Sequence, residues 1–318
     1  MKPLAREPAP SASRTSELAS RFEGVPLESV PCYLCGETEG RLLVNDPPFK
    51  VLLCGGCGLG YTSPRLAGDR IHEIYGDDYW KSDSATDYGY SCYEEEVSGY
   101  LRTFSRKADA IRKHAPAGRV LEIGSAAGCF LAIMQQRGYE VHGIEISREI
   151  ADSARRRFGL GSIQSCHLKD ARLEARSFDV VALFDVIEHM ADPIEELRRC
   201  HDLLSDSGSL VLQTQNLSSF TRKVMGKRWH HFKQLEHIYH FNPRTLRTLL
   251  DRSGFEVVSM TRRGAGKYVS FEFVAERSRR YGALAGLLGS PLRLLGRRFL
   301  YVNPLDEMFV VARKKPTA

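Results

Sequence analysis

From about position 117 the chain alternates short apolar runs with stretches whose apolar residues recur at helical spacing. The runs predict strands near 119–124, 140–145, 161–165, 178–184, 208–214, 255–261 and 307–313. Between them the spacing predicts helices near 128–137, 147–157, 193–204 and 243–253. Gly254, directly after the last of these, reads as a helix stop. Strand and helix taken in turn imply an α/β fold built on a doubly wound sheet. No internal repeat interrupts the pattern.

Upstream the pattern changes. Residues 1–28 are rich in Ala, Ser, Pro and charge, and read as a disordered tail. Residues 29–62 carry paired cysteines. Residues 63–116 look helical and aromatic, with Tyr75, Tyr79, Trp80, Tyr88, Tyr90 and Tyr93, and would connect to or cap the domain formed by 117–318. Within that domain, 264–304 is an insertion between the last two strands.

The most informative segment is Val120-Leu121-Glu122-Ile123-Gly124-Ser125-Ala126-Ala127-Gly128-Cys129. An apolar strand ends near an acid, passes a turn of small residues and enters a helix. Such a turn lets a ligand approach the backbone, and its N–H groups can hold an anion. The next strand ends at Glu145-Ile146, and a carboxylate there can take both hydroxyls of a ribose. The ligand should therefore carry a ribose and a nearby anionic group. A dinucleotide would want glycines at relative positions one, three and six. Counted from Gly124, the third is Ala126 and the sixth Cys129.

Glu122, Gly124 and Gly128, with Ala126 in place of a middle glycine, and then Glu145, resemble the cofactor loop of class I S-adenosylmethionine-dependent methyltransferases. The resemblance implies a Rossmann-like, doubly wound seven-stranded sheet whose last strands form an antiparallel edge. It implies that Gly124, Ser125, Ala126 and Gly128 face the methionine end, that Glu145 holds the ribose, that Ile146 also borders the cofactor, and that Cys166 and His167 lie near the adenine. With alanine in the glycine position, Ala126 is expected to avoid a positive φ.

The fourth strand runs into Asp185-Val186-Ile187-Glu188-His189-Met190-Ala191-Asp192-Pro193. Ligands of open α/β sheets sit beyond the carboxyl ends of the strands, which places Asp185 and His189 at the right edge. Similar small-molecule methyltransferases turn the histidine of this Glu-His pair toward the acceptor, so His189 is a candidate general base. Otherwise it caps the following loop. A second pair, Glu236-His237, lies in Trp229-His230-His231-Phe232-Lys233-Gln234-Leu235-Glu236-His237-Ile238-Tyr239-His240. The resemblance turns His237 toward the pocket, with the Glu236 carboxylate fixing its tautomer; the alternative is a set of surface histidines. The four histidines of this stretch have no metal-ligand spacing of their own.

Cysteines add a second motif. Cys32-Tyr33-Leu34-Cys35 and Cys54-Gly55-Gly56-Cys57 are separated by eighteen residues, and Gly36 and Gly58 follow the pairs. That spacing suits a tetrahedral zinc site with a structural role, because four thiolates leave no open position. Two disulfides or a redox pair would be the alternatives, and a large cytosolic protein argues against both. Cys92, Cys129, Cys166 and Cys200 are scattered.

A zinc ribbon ahead of a class I domain, with both Glu-His pairs, resembles the sugar C-methyltransferases of deoxysugar pathways, without the further C-terminal domain those carry. The implied acceptor is a small molecule: a sugar, a glycan-lipid precursor or a natural-product intermediate. Asn45-Asp46-Pro47-Pro48-Phe49 looks like the loop of nucleic-acid amino-methyltransferases but falls between the cysteine pairs rather than after a sheet strand. Other readings are an RNA methyltransferase gripping RNA with its ribbon and a scaffold that binds the cofactor without catalysis. Net charge is +6, and between Gly36 and Gly60 the only cations are Arg41 and Lys50, thin for phosphate binding. The insertion sets Arg277, Arg279, Arg280, Arg293, Arg297 and Arg298 among leucines from Leu284 to Leu295, so that 277–298 could meet a membrane surface or an anionic substrate. No apolar run approaches bilayer length, and no signal-peptide core is present, so a cytoplasmic location is expected.

Overall fold

The computed structural model describes residues 25–68, 70, 74, 96–278, 289–296 and 298–316. The connector aromatics from Tyr75 to Tyr93, Cys92, most of the expected tail and much of the arginine-leucine stretch lie outside them.

In chain order the strands are β1 Leu27–Glu28, β2 Gly40–Asp46, β3 Phe49–Cys54, β4 Gly60–Thr62, β5 Arg65–Leu66, β6 Arg119–Ile123, β7 Glu140–Ile144, β8 Ile163–Gln164, β9 Phe178–Phe184, β10 Leu204–Gln215, β11 Tyr239–His240, β12 Phe255–Thr261, β13 Lys267–Ser270, β14 Phe299–Val302 and β15 Glu307–Lys314. The α-helices are α1 Val97–Ile111, α2 Cys129–Gln136, α3 Arg148–Phe158, α4 Pro193–Leu203, α5 Phe220–Met225, α6 Pro243–Arg252 and α7 Phe271–Ser278. Helix starts follow local chemistry. Ser147 and Asp192 accept the first free N–H groups of α3 and α4, and Asn242 with Thr245 forms a reciprocal cap on α6.

Seven strands form the main sheet in the order β12-β15-β10-β9-β6-β7-β8. β15 is antiparallel to both of its neighbours, so the antiparallel strand sits one place inside the edge and β12 runs along the rim. Side chains alternate between the two faces with period two. Leu121, Val181, Leu183, Leu210, Leu212 and Val310 join one core, with α4 and α6. Val120, Val180, Ala182, Val211, Phe309 and Val311 join the other, with α1, α2 and α3.

The cysteine-bearing segment is built into the first core. Cys32, Leu34, Phe49, Cys54, Leu59 and Tyr61 pack with Leu246 and Leu249 of α6. Its small sheet runs β11-β4-β3-β2, so a strand from the loop after β10 completes it. Gly60 permits that pairing: a Cβ there would fall 2.8 Å from the Cβ of His240. Leu27 and Glu28, inside the span read as a tail, pair with Leu66 and Arg65. The insertion also folds back. β13 and β14 form a ladder against α1, where Tyr268 N–H donates to Thr103 Oγ1 at 2.8 Å.

Candidate functional site

A cavity of about 510 Å³ opens beyond the carboxyl ends of β6, β7 and β9. Glu122, Gly124, Ser125, Ala126, Glu145, Ile146, Cys166, His167 and Asp185 all line it, as does His189. Gly128 does not. It caps α2 in a left-handed conformation and packs against Leu160 and Ala154, where a Cβ would meet Leu160 at 2.6 Å.

Glu145 organises the loop. Its Oε2 accepts the Ala126 N–H at 2.9 Å, and its Oε1 accepts the Ser147 N–H at 2.9 Å. Burial pushes its carboxyl up, while these N–H groups favour the charge. Ala126 lies at φ +46°, against the expectation from the sequence. The bond to Glu145 and the Gly128 N–H to the Ser125 carbonyl (2.8 Å) hold the turn in a shape that a glycine would adopt without strain. Ala126→Gly should therefore raise stability by about 0.5–1 kcal/mol, the alanine penalty at positive φ less the added freedom of the unfolded chain. Chemical denaturation checks this, and a loss of stability would show that the turn is not strained.

Two polar atoms near the loop lack partners: Glu122 Oε2 and Ser125 Oγ, both buried. Burial, then the Glu145 charge beside it, pushes the Glu122 carboxyl well above the usual range. A cationic ligand would remove that cost.

The opposite wall holds residues that sequence reasoning missed. Lys107 of α1 is 3% exposed, its ammonium 5.1 Å from the rings of Phe104 and Phe184. Burial, aided by the Lys267 charge, lowers its pKa to about 8. Lys267 of β13 reaches Asp185 Oδ2 at 3.0 Å and Glu307 Oε1 at 2.9 Å. Burial opposes charge on Asp185, but Lys267 and then Lys107 hold its carboxyl below the ordinary value. No local motif marks either lysine; the only available signal was an ionisable side chain at a core-facing position of a helix or short strand.

His189 Nδ1 donates to the Glu236 carbonyl at 2.8 Å, since a carbonyl can only accept. Nε2 is thereby left as the basic nitrogen. Burial lowers the His189 pKa, keeping the ring neutral at physiological pH. His237 departs from expectation. It stands behind His189, ring centres 4.7 Å apart, and is not part of the cavity wall. Its Nδ1 donates to the His231 carbonyl at 2.9 Å, so that carbonyl, not the Glu236 carboxylate, sets its tautomer. The Glu236 carboxylate reaches Lys233 at 3.4 Å. A backbone carbonyl can do this work because the loop folds back on itself, which residue spacing does not reveal. Glu188, buried beneath, accepts the Thr214 hydroxyl at 2.9 Å, and burial with the nearby Asp185 charge raises it to about 8.

The methyltransferase-domain family model matches residues 93–260, more than half of the chain. The chain belongs to this methyltransferase family. Several relatives are named ubiquinone biosynthesis O-methyltransferase. The one from Xanthomonas campestris pv. campestris is 30% identical over 144 residues, covering 39% of this chain and 59% of that protein. The one from Haemophilus ducreyi is 25% identical over 162 residues, covering 45% and 66%. The methyltransferase thus spans about three-fifths of the length of the first of these relatives. Among solved structures it is similar to a SAM-dependent methyltransferase from Archaeoglobus fulgidus (TM-score 0.47, 19% identity, 70% of this chain and 98% of that one). It is also similar to one from Mesorhizobium loti (TM-score 0.43, 18% identity, 66% and 98%).

In the methyltransferase the four cysteines Cys32, Cys35, Cys54 and Cys57 converge, their sulfurs all within 4.8 Å of one another. The Cys32–Cys57 and Cys35–Cys54 sulfurs are 3.4 Å apart, far beyond a disulfide bond of about 2.05 Å. Gly36 and Gly58 take φ of +75° and +81°, closing the two turns that present the thiols. Burial pushes Cys57 up to about 11 and Cys32 higher still, so a cation would have to displace protons to bind. Tyr33 and Leu34 between the first pair bond to Asp192 and Arg252, tying this cluster to α4 and α6. Among the described residues no helix of the methyltransferase is long and apolar enough to cross a membrane.

Proposed function

We propose that this methyltransferase moves a methyl group from S-adenosylmethionine to a small-molecule acceptor. The acceptor would be a sugar, a glycan-lipid precursor or a natural-product intermediate, methylated at oxygen or carbon. The observation that carries the reading is one cavity lined both by the Glu122–Glu145 loop and by His189. The two O-methyltransferase relatives support an acceptor hydroxyl.

S-adenosylmethionine, when bound, supplies a methyl group on a sulfonium centre. The free lone pairs of Glu145 would hold the ribose hydroxyls, and Ile146, Cys166 and His167 would flank the adenine. Glu122 and the Gly124–Ala126 backbone would face the methionine end, where the orphaned carboxylate oxygen meets an ammonium. His189 Nε2 would take the proton of the acceptor hydroxyl, or of a carbon beside a ketone, as the new bond to the methyl forms. Lys267, fixed by Asp185 and Glu307, would orient polar groups of the acceptor. Enclosure aligns the two reactants and keeps water out. The four thiolates would hold one structural zinc ion, closed to substrate.

Glu145→Ala tests the cofactor assignment. Two charge-assisted hydrogen bonds at about 1.5–3 kcal/mol each predict S-adenosylmethionine binding weakened by about 10²-fold or more in calorimetry. Unchanged affinity would overturn the reading. Methyl-labelled cofactor given to a cell extract should then label nuclease-resistant small molecules; label in nuclease-sensitive polymer would point to RNA instead.

A further inference from the structure

The loop after β10 carries a second cluster, none of whose residues lines the cavity. His230 Nε2 lies 3.4 Å from Asp306 Oδ2. His231 Nε2 lies 3.6 Å from the same oxygen and 3.6 Å from Glu307 Oε1. His231 is 9% exposed and its Nε2 has no hydrogen-bond partner. Hydrogen bonds between nitrogen and oxygen span about 2.7–3.2 Å, so these separations are too long to be direct bonds. They are close to the edge of a tetrahedron around zinc instead. Bonds of about 2.0–2.1 Å set neighbouring donors about 3.3–3.4 Å apart.

The surroundings are those of a ligated centre. Trp229 Nε1–H donates to Asp306 Oδ2 at 3.0 Å. Such outer bonds orient coordinating carboxylates. Asp306 is 2% exposed, and of the carboxylate's neighbours only His230 reaches the surface, at 41% of its side chain.

The geometry points to a second divalent-cation site, of the zinc class, held by His230, His231 and Asp306, whose donor atoms all lie within 4.8 Å of one another. Two imidazoles with a carboxylate suit zinc and its first-row neighbours. The site is independent of the four cysteines and of the methyl-transfer reading. An ion there ties the loop 229–240 to the start of β15. It also fixes the His231 carbonyl that holds His237. The histidines showed no ligand spacing because their carboxylate partner follows some seventy-five residues later, brought in only by the β10–β15 pairing.

Trp229 offers a readout without activity, its ring 4.9 Å from His231. Holoprotein with zinc on its thiolates is titrated with Co²⁺ while Trp fluorescence is followed. The expected result is saturable quenching at one equivalent, absent from Trp229→Phe and from His230→Ala, with visible cobalt bands free of sulfur charge transfer. His230 is largely at the surface, so its variant should fold; Asp306→Asn gives the same loss if it folds. Absence of quenching in the wild type would overturn the proposal. So would equal quenching in His230→Ala, or a thiolate charge-transfer band accounting for all bound cobalt.

Discussion

His189→Ala is expected to lower kcat by about 10²–10⁴-fold, the usual contribution of a positioned general base. The affinity for S-adenosylmethionine should stay within a few-fold, because Glu145 and the Gly124–Ala126 turn lie on other strands. A structural role could also cost rate, since His189 Nδ1 anchors the Glu236 carbonyl. The pH profile separates the two. The base must be unprotonated, and burial moves the His189 pKa below 6.5. The wild-type rate should therefore hold as pH falls to 6.5 and decline only below it. The residual activity of His189→Ala should lack that acid limb. A rate within threefold of wild type, or the same limb kept in the variant, would remove His189 from the base role.

Cys54→Ser is expected to have the largest effect on stability. Structural zinc contributes about 10–16 kcal/mol of apparent binding energy in small isolated fingers. Here the cysteine-bearing segment also packs on α6 and shares β11 with the loop after β10, so part of the fold should survive on hydrophobic packing. A loss on the order of 5 kcal/mol would lower Tm by about 10–20 °C for a domain of this size. The damage should reach the site. The loop that supplies the Glu236 and His231 carbonyls runs directly into β11, so turnover should fall further than cofactor binding. Because Cys57 is pushed up to about 11 by burial, a zinc ion would displace protons, and its affinity should weaken as pH drops. Full stability in the variant, or thiols that titrate as disulfides in fresh protein, would contradict a zinc role.

Local chemistry was legible in the sequence wherever it repeats over a few residues. The strand at 178–184 and the helix ending before Gly254 follow from apolar periodicity and a stop residue, and both stand where expected. The cysteine pairs were readable as a cluster because each pair sits at a short spacing, and the Glu122–Gly128 turn because its small residues are consecutive. Ala126 was misjudged: steric rules for a single residue forbid little once neighbouring hydrogen bonds hold the turn. Tertiary structure alone decided which groups meet from afar. Lys267 comes to Asp185 across 82 positions, and Trp229 to Asp306 across 77. β11 leaves the main domain to complete the ribbon sheet, and a backbone carbonyl takes the place given to the Glu236 carboxylate. Side-chain period is a property of neighbours along the chain and is written there. Pairing between distant strands depends on the summed packing of the whole core, and no short motif records it.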